Sequence, residues 1–204
     1  MDFFASQYKE ILNYWFADAV DKEWPPRQTE RLWFNATAGD DMEIAQRFGS
    51  WVEAALQMEL VEWERHSDSR LALILTLDQF PRHIYRSSSQ AFAGDHRAAT
   101  LAVEGVSRRM DIALPTAGRV FFYMPLMHAE DEDLQTMAVE RFEALQRQCP
   151  TSCRDRVAAS LRAAHQHREI IARFGRFPHR NRLLGRASTP QEEHFLEAGP
   201  RFGQ

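Results

Sequence analysis

The chain is short of cysteine, of lysine and of long apolar runs, and each shortage closes off a class of protein. Its two cysteines, Cys149 and Cys153, stand in the string CPTSC, which matches neither a CxxC redox motif nor a zinc knuckle. Free thiols are therefore expected. No apolar run approaches the roughly 20 residues that a membrane-spanning helix requires. The start, Met1-Asp2-Phe3-Phe4, lacks the basic stretch of a signal peptide. These features point to a cytoplasmic protein with no membrane partner. Lysine is nearly absent: of 25 basic residues only Lys9 and Lys22 are lysine, so 23 are arginine. Together with abundant alanine this suggests codon bias, and arginine richness alone carries no functional weight. HExxH, a glycine-rich phosphate loop and GxSxG are all missing. His165 and His167 would lie about 200° apart around a helix and could not chelate together. No metal site and no cofactor is expected.

The composition that remains is that of a folded globule. An apolar fraction of 44% against a charged fraction of 26% is enough for an ordinary core without disulfides. Nothing resembles a linker, so one domain over residues 1–204 is expected. The net charge of −4 hides an asymmetry, because Arg154–Arg186 carries nine arginines against Asp155 and Glu169, a local net of +7. Tyr123–Glu143 carries six acids against Arg141, a local net of −5. The two segments could neutralise each other, or the basic one could bind an anion.

Helical periodicity dominates, and strand signals are weak. Ile44, Phe48, Trp51, Val52, Ala55 and Leu56 form one apolar stripe, and Leu134, Ala138, Phe142 and Leu145 form another. The acidic run Glu130–Asp133 suits the positive end of the second helix. The longest helix is predicted from Cys153 to Phe174, closed by Gly175. Thr189-Pro190-Gln191-Glu192 reads as a capping box. Asp95 is a candidate cap for a helix near His96–Met110, and Thr116 for one ending before Pro125. The longest irregular stretch is placed between Asp18 and Asp41. The expected fold is all-α, with antiparallel helix pairs packed as a bundle or array.

Three polar clusters interrupt this pattern. Asp68–Phe80 is apolar nearly all round, as a central helix must be, yet Asp78 stands on a face that belongs inside. It could pair with Arg82 beyond Pro81, or with Arg168, which falls on the apolar stripe of the long helix; the alternative is a catalytic acid. The second cluster is the loop Arg173–Asn181 with Gly185-Arg186. Its arginines, spaced by glycine and proline, could present guanidinium forks to a phosphate or carboxylate, or could stitch the loop to acidic neighbours. In the third cluster His128, placed just before a helix start with Glu130 and Asp131 beside it, could serve as an acid or base, or simply be hydrogen-bonded.

The same three clusters carry a resemblance. LDQFPR (Leu77–Arg82), FFYMPLMHAED (Phe121–Asp131), HREIIARFGRFPHRN (His167–Asn181) and the LGRASTPQEEHFL string ending at Leu196 resemble the bacterial domain-of-unknown-function family 924. The resemblance implies an all-helical, tetratricopeptide-like fold and no established activity, substrate or cofactor. It falls on Asp78, Arg82, Tyr123, Pro125, His128, Glu130, Asp131, Arg176, His179, Arg180, Asn181 and Arg186. Ala129 stands where similar sequences read serine, which weakens any scheme needing a hydroxyl nucleophile there.

Two functional readings follow. In the first, a groove lined by Asp78, Arg82, Tyr123, Arg176, Arg180, Asn181 and Arg186 binds an anionic small molecule or an acidic peptide. In the second, His128 or His179 acts as acid or base, oriented by Glu130 or Asp78, in a hydrolase or transferase working on an anionic, possibly phosphorylated metabolite. Arginines alternating with Phe174 and Phe177 also admit RNA binding, but the net negative charge argues against nucleic acid.

Overall fold

The computed structural model describes residues 3–17 and 22–199. Helices account for its architecture, and among the described residues no strand occurs. The chain is all-α. None of these helices is long and apolar enough to cross a membrane.

The centre is α4 (Ser67–Asp78), in which every residue from Ser69 onward is buried. Leucine and isoleucine on all its sides need partners in every direction. These are supplied by α1 (Phe3–Phe16), α3 (Ala38–Leu56), α6 (Asp95–Ser107) and α7 (Thr116–His128). From α6 onward each long helix packs on the next, through α8 (Glu132–Gln148) to α9 (Arg154–Phe174). Trp15, Phe80, Phe121 and Trp33 meet edge-on in the core, with Trp33 and Phe121 centroids 4.6 Å apart. A second cluster of Ile170, Ile171 and Phe177, joined by Phe174 and Phe195, ties the segment after α9 to that helix. Both cysteines are free and buried.

Several helix ends follow the expected signals. Gly175 takes the left-handed conformation, φ 68°, and its N–H reaches the Ile171 carbonyl, closing α9. Thr189 and Glu192 form the capping box of α10 (Pro190–Ala198). Asp131 accepts from the Leu134 N–H at 2.9 Å and opens α8.

Other expectations are corrected. The stretch from Asp18 to Asp41 is not irregular where it is described: it holds α2 (Arg27–Phe34) and the start of α3, set by a Thr37–Asp40 capping box. The α2 stripe is only Leu32 and Trp33, too short to stand out as a period. Residues 18–21 lie outside the described residues. Pro125 does not end α7 but sits inside it, in a stretch buried from Val120 to Met127, where packing compensates for the backbone bond that proline removes. Thr116 caps nothing, since its N–H and hydroxyl both bind Glu23. Likewise α4 stops before Pro81, but Pro81 then occupies the first turn of α5 (Phe80–Ile84), where its missing N–H costs nothing.

Asp95 is the first residue of α6 rather than its cap, and the residue before it, Gly94, lies against α4. A Cβ on Gly94 would sit 2.3 Å from the Leu77 carbonyl oxygen, so only glycine permits this approach. The approach carries Asp95 to Arg82, in α5 just beyond the end of α4. On α9 the buried residue is His167, 5% exposed, while Arg168 is only half-buried. The stripe advances from Ala164 by three residues, not four, and Asp78 takes other partners.

Candidate functional site

Asp78 ends α4 fully buried, where a carboxylate survives only with charge and hydrogen-bond partners. Arg82, one turn on, reaches its carboxylate at 3.4 Å and donates to its carbonyl. From the end of α7, His128 donates its Nδ1–H to Asp78 at 2.8 and 3.0 Å to the two oxygens. Burial alone would raise the Asp78 pKa; the Arg82 charge and the hydrogen bonds from His128 and Gln79 outweigh it and hold the carboxyl below its ordinary range. With Nδ1 committed as donor, Nε2 is left as the reactive nitrogen of the His128 ring. The backbone around His128 is also fixed. Gln135, buried on α8, donates its amide to the carbonyls on either side, Met127 at 2.7 Å and Ala129 at 2.8 Å.

Beside this dyad two arginines share one acid. Arg82 grips Asp95 with both terminal nitrogens at 2.9 and 3.0 Å, and Arg180 donates to it at 3.0 Å. The Arg180 guanidinium lies between Phe92 and Phe177, 4.6 Å from each ring centroid, and its buried Nε makes no hydrogen bond. Burial lowers its pKa to about 10, so it stays charged at neutral pH.

Arg82, His128 and Arg180, each bonded to Asp78 or Asp95, line a cleft of about 390 Å³, whose other walls include Trp33, Phe92, Met124, Met127 and Ala163. Two more imidazoles face it. His167 donates Nδ1–H to the Ala163 carbonyl at 2.8 Å, and its centroid is 6.0 Å from that of His128. Burial, reinforced by His128, lowers its pKa to about 3. Burial, then Arg180, lowers that of His179 to about 4. Both are neutral at pH 7. At the rim, His83 Nδ1 and Arg86 bind Asp41 at 2.8 and 2.9 Å. Charges around the cleft are thus matched: Arg82, Arg86 and Arg180 face Asp41, Asp78 and Asp95.

Of the residues picked out by sequence, Arg82, His128, His179 and Arg180 line the cleft, and Asp78 is buried beneath it, bonded to His128 and Arg82. The rest do not line the cleft. Glu130 is not the partner of His128: it binds Arg186 at 2.6 and 2.9 Å and the Phe177 N–H at 2.7 Å. Although burial would raise its pKa, these bonds hold it low. Arg176 binds the buried Glu192 at 2.6 and 2.8 Å and the Ala187 carbonyl, lowering the Glu192 pKa to about 2. Asn181 joins Arg186 to Ser188. Tyr123 is buried, its hydroxyl donating to Asp111 at 2.5 Å, and burial with that bond raises its pKa to about 12. His128 itself closes a helix instead of preceding one, since α7 ends on it and α8 starts at Glu132. Among the described residues no three His, Cys, Asp or Glu side chains are grouped as a metal ion would require.

Trp33, Phe92, Met124, Met127 and His167 were not picked out by sequence reasoning. The apolar four resemble any core residue; His167 had a signal, one helical turn from the apolar Ala164 and Ile171 on α9.

A family model described as "Bacterial protein of unknown function (DUF924)" matches residues 11–200. A search of curated proteins finds no match. Among solved structures, the chain is similar to a protein of unknown function from Agrobacterium tumefaciens. The two are 36% identical with a TM-score of 0.79, over 96% of this chain and 99% of that one.

Proposed function

We propose that this chain, which belongs to the bacterial DUF924 family, binds a small molecule that presents one carboxylate to Arg180 and an apolar body to the aromatic and methionine wall. The observation that carries this reading is the convergence of Gln79, Arg82, His128, His179 and Arg180 on one cleft of about 390 Å³. That volume lies within the roughly 300–1,000 Å³ of small-molecule sites, and an apolar wall with a few converging polar groups is their usual make-up. A cleft of this volume favours a small molecule over an acidic peptide. Matched charges favour a single negative charge over a phosphate dianion, because three arginines already face three carboxylates. The guanidinium with capacity to spare is Arg180, which bonds Asp95 through Nη1 alone.

The test is a thermal-shift series with butyrate, benzoate and phenylacetate against inorganic phosphate, on wild type and Ala163→Trp. Ala163 lines the cleft without contributing charge, so tryptophan there obstructs it. A carboxylate at about 100 times its Kd adds about 2.7 kcal/mol, which moves Tm by several degrees in a domain of this size. The expected result is a carboxylate shift that Ala163→Trp abolishes. Equal shifts in both proteins, or stabilisation by phosphate alone, would overturn the reading.

A further inference from the structure

The arrangement of Asp78, His128 and Gln135 is more than a carboxylate site requires. Asp78 already has the Arg82 guanidinium and the Gln79 amide as partners, so it does not need an imidazole to be tolerated inside. Yet His128 binds both its oxygens, and Gln135 clamps the carbonyls on both sides of the histidine. A ring held at its side chain and its backbone is preorganised to present one nitrogen to the cleft it lines.

Charge matching adds an independent argument. With the imidazoles neutral, the cleft carries three cations and three anions. It gains one net positive charge when His128 takes up a proton. Such a site favours a negative charge that develops as the proton arrives, which is transition-state rather than ground-state complementarity. The described residues that line it include no serine, threonine, cysteine, lysine or tyrosine. A covalent route through a side-chain nucleophile of those kinds has no candidate there.

We propose that the cleft hydrolyses small carboxylic esters with apolar substituents, with His128 as general base on water and Asp78 as its positioning residue. The proposal rests on the carboxylate reading above, since the anion held by Arg180 is then the acid product. His128 Nε2 removes a proton from water as the water oxygen bonds to the ester carbonyl carbon. The carbonyl π pair moves onto oxygen, giving a tetrahedral oxyanion beside Arg180 and the imidazolium. The oxyanion collapses, the bond to the alcohol oxygen breaks with its electron pair, and the imidazolium returns its proton to that oxygen. One ester and one water become an acid and an alcohol; the acid ionises, and His128 is regenerated. Asp78 keeps Nδ1 protonated throughout and balances the charge on the ring. His167, whose Nδ1–H is committed to Ala163, stays uncharged as His128 gains its proton.

The experiment measures hydrolysis of p-nitrophenyl acetate, butyrate and octanoate by wild type, His128→Gln, Asp78→Asn and Ala163→Trp, with Tm recorded for each. General-base catalysis contributes about 10²–10⁴-fold, so His128→Gln should lose about 10²-fold or more of kcat. Ala163→Trp should lose activity through KM, which keeps the test open if His128→Gln does not fold. In Asp78→Asn the ¹⁵N signals of the His128 ring should report loss of the Nδ1–H tautomer alongside the fall in kcat. A merely structural aspartate would leave that tautomer unchanged. Wild-type rates no higher than those of folded His128→Gln or Ala163→Trp on all three esters would overturn the proposal. If butyrate still shifts the wild-type Tm in that case, the carboxylate site survives and only the catalysis falls. Absence of both turnover and shift would remove both.

Discussion

Arg176 and Arg180 stand four residues apart in the string RFGRFPHRN, and they belong to different kinds of structure. Arg176 is consumed by Glu192 and the Ala187 carbonyl, and its neighbour Arg186 by Glu130, Asn181 and Phe177. This half of the loop is a lock: its guanidinium forks meet carboxylates that are near in space and bind α10 and the loop to the start of α8. Arg180 instead lies between two phenylalanine rings beside the cleft, sharing Asp95 with Arg82 and leaving Nε unbonded. Partner supply makes the difference. An arginine with its own carboxylate builds architecture, whereas two arginines on one acid leave donor capacity for something else. Phe177 joins the halves, with its backbone in the lock and its ring against Arg180 and His167.

Removing that join should have the largest effect. Phe177 is fully buried, and Phe177→Ala should cost about 3–5 kcal/mol in denaturant unfolding while weakening carboxylate binding as well. If stability fell and binding held, lock and cleft would be independent. Glu130→Gln tests the lock alone. Weakening its charged hydrogen bonds to Arg186 should cost about 1–3 kcal/mol, with the ligand-induced Tm shift unchanged. A lost shift would mean that the two halves are one site.

Acid separates them by window. His167 and His179 have folded pKa values lowered to about 3 and about 4 by burial, so between roughly pH 6.5 and those values the unfolded chain binds more protons. Stability from the cleft histidines is therefore full above about pH 6.5 and falls with acid, by about 1.4 kcal/mol per pH unit for each. Glu192 is lowered to about 2 by Arg176, so its contribution is lost only below about pH 4.5. Urea unfolding from pH 7 to 5 should show the histidine slope, reduced in His167→Gln and unaltered in Arg176→Ala. The smallest effect belongs to Arg176→Ala itself, a lower Tm with carboxylate binding intact. Binding lost with Tm unchanged would move Arg176 into the site.

Legibility in the sequence followed the range of the interaction. Gly175 and the Thr189–Glu192 box were readable because a helix end is decided within four residues. The burial of Asp78 was readable because the leucines around it leave no wet face. What misled was proximity along the chain. Glu130 beside His128 and Arg168 near the α9 stripe looked like partners, yet Asp78 binds His128 and Glu130 binds Arg186. Pro125 shows the same limit, since a local rule against proline inside a helix yields where the surrounding helices hold the turn in place.

The sequence by itself determined that this is an all-α protein with a central helix carrying a carboxylate inward, because helical period and capping are properties of a few consecutive residues. Only the tertiary structure decided which polar groups share a cleft and which close a lock. Arg180 reaches Asp95 across 85 positions, Arg186 reaches Glu130 across 56, and His128 reaches Asp78 across 50. At such separations the choice among many acids for each base depends on how helices pack. Here it turned on Gly94, which lets α6 approach α4 closely enough to set Asp95 between Arg82 and Arg180.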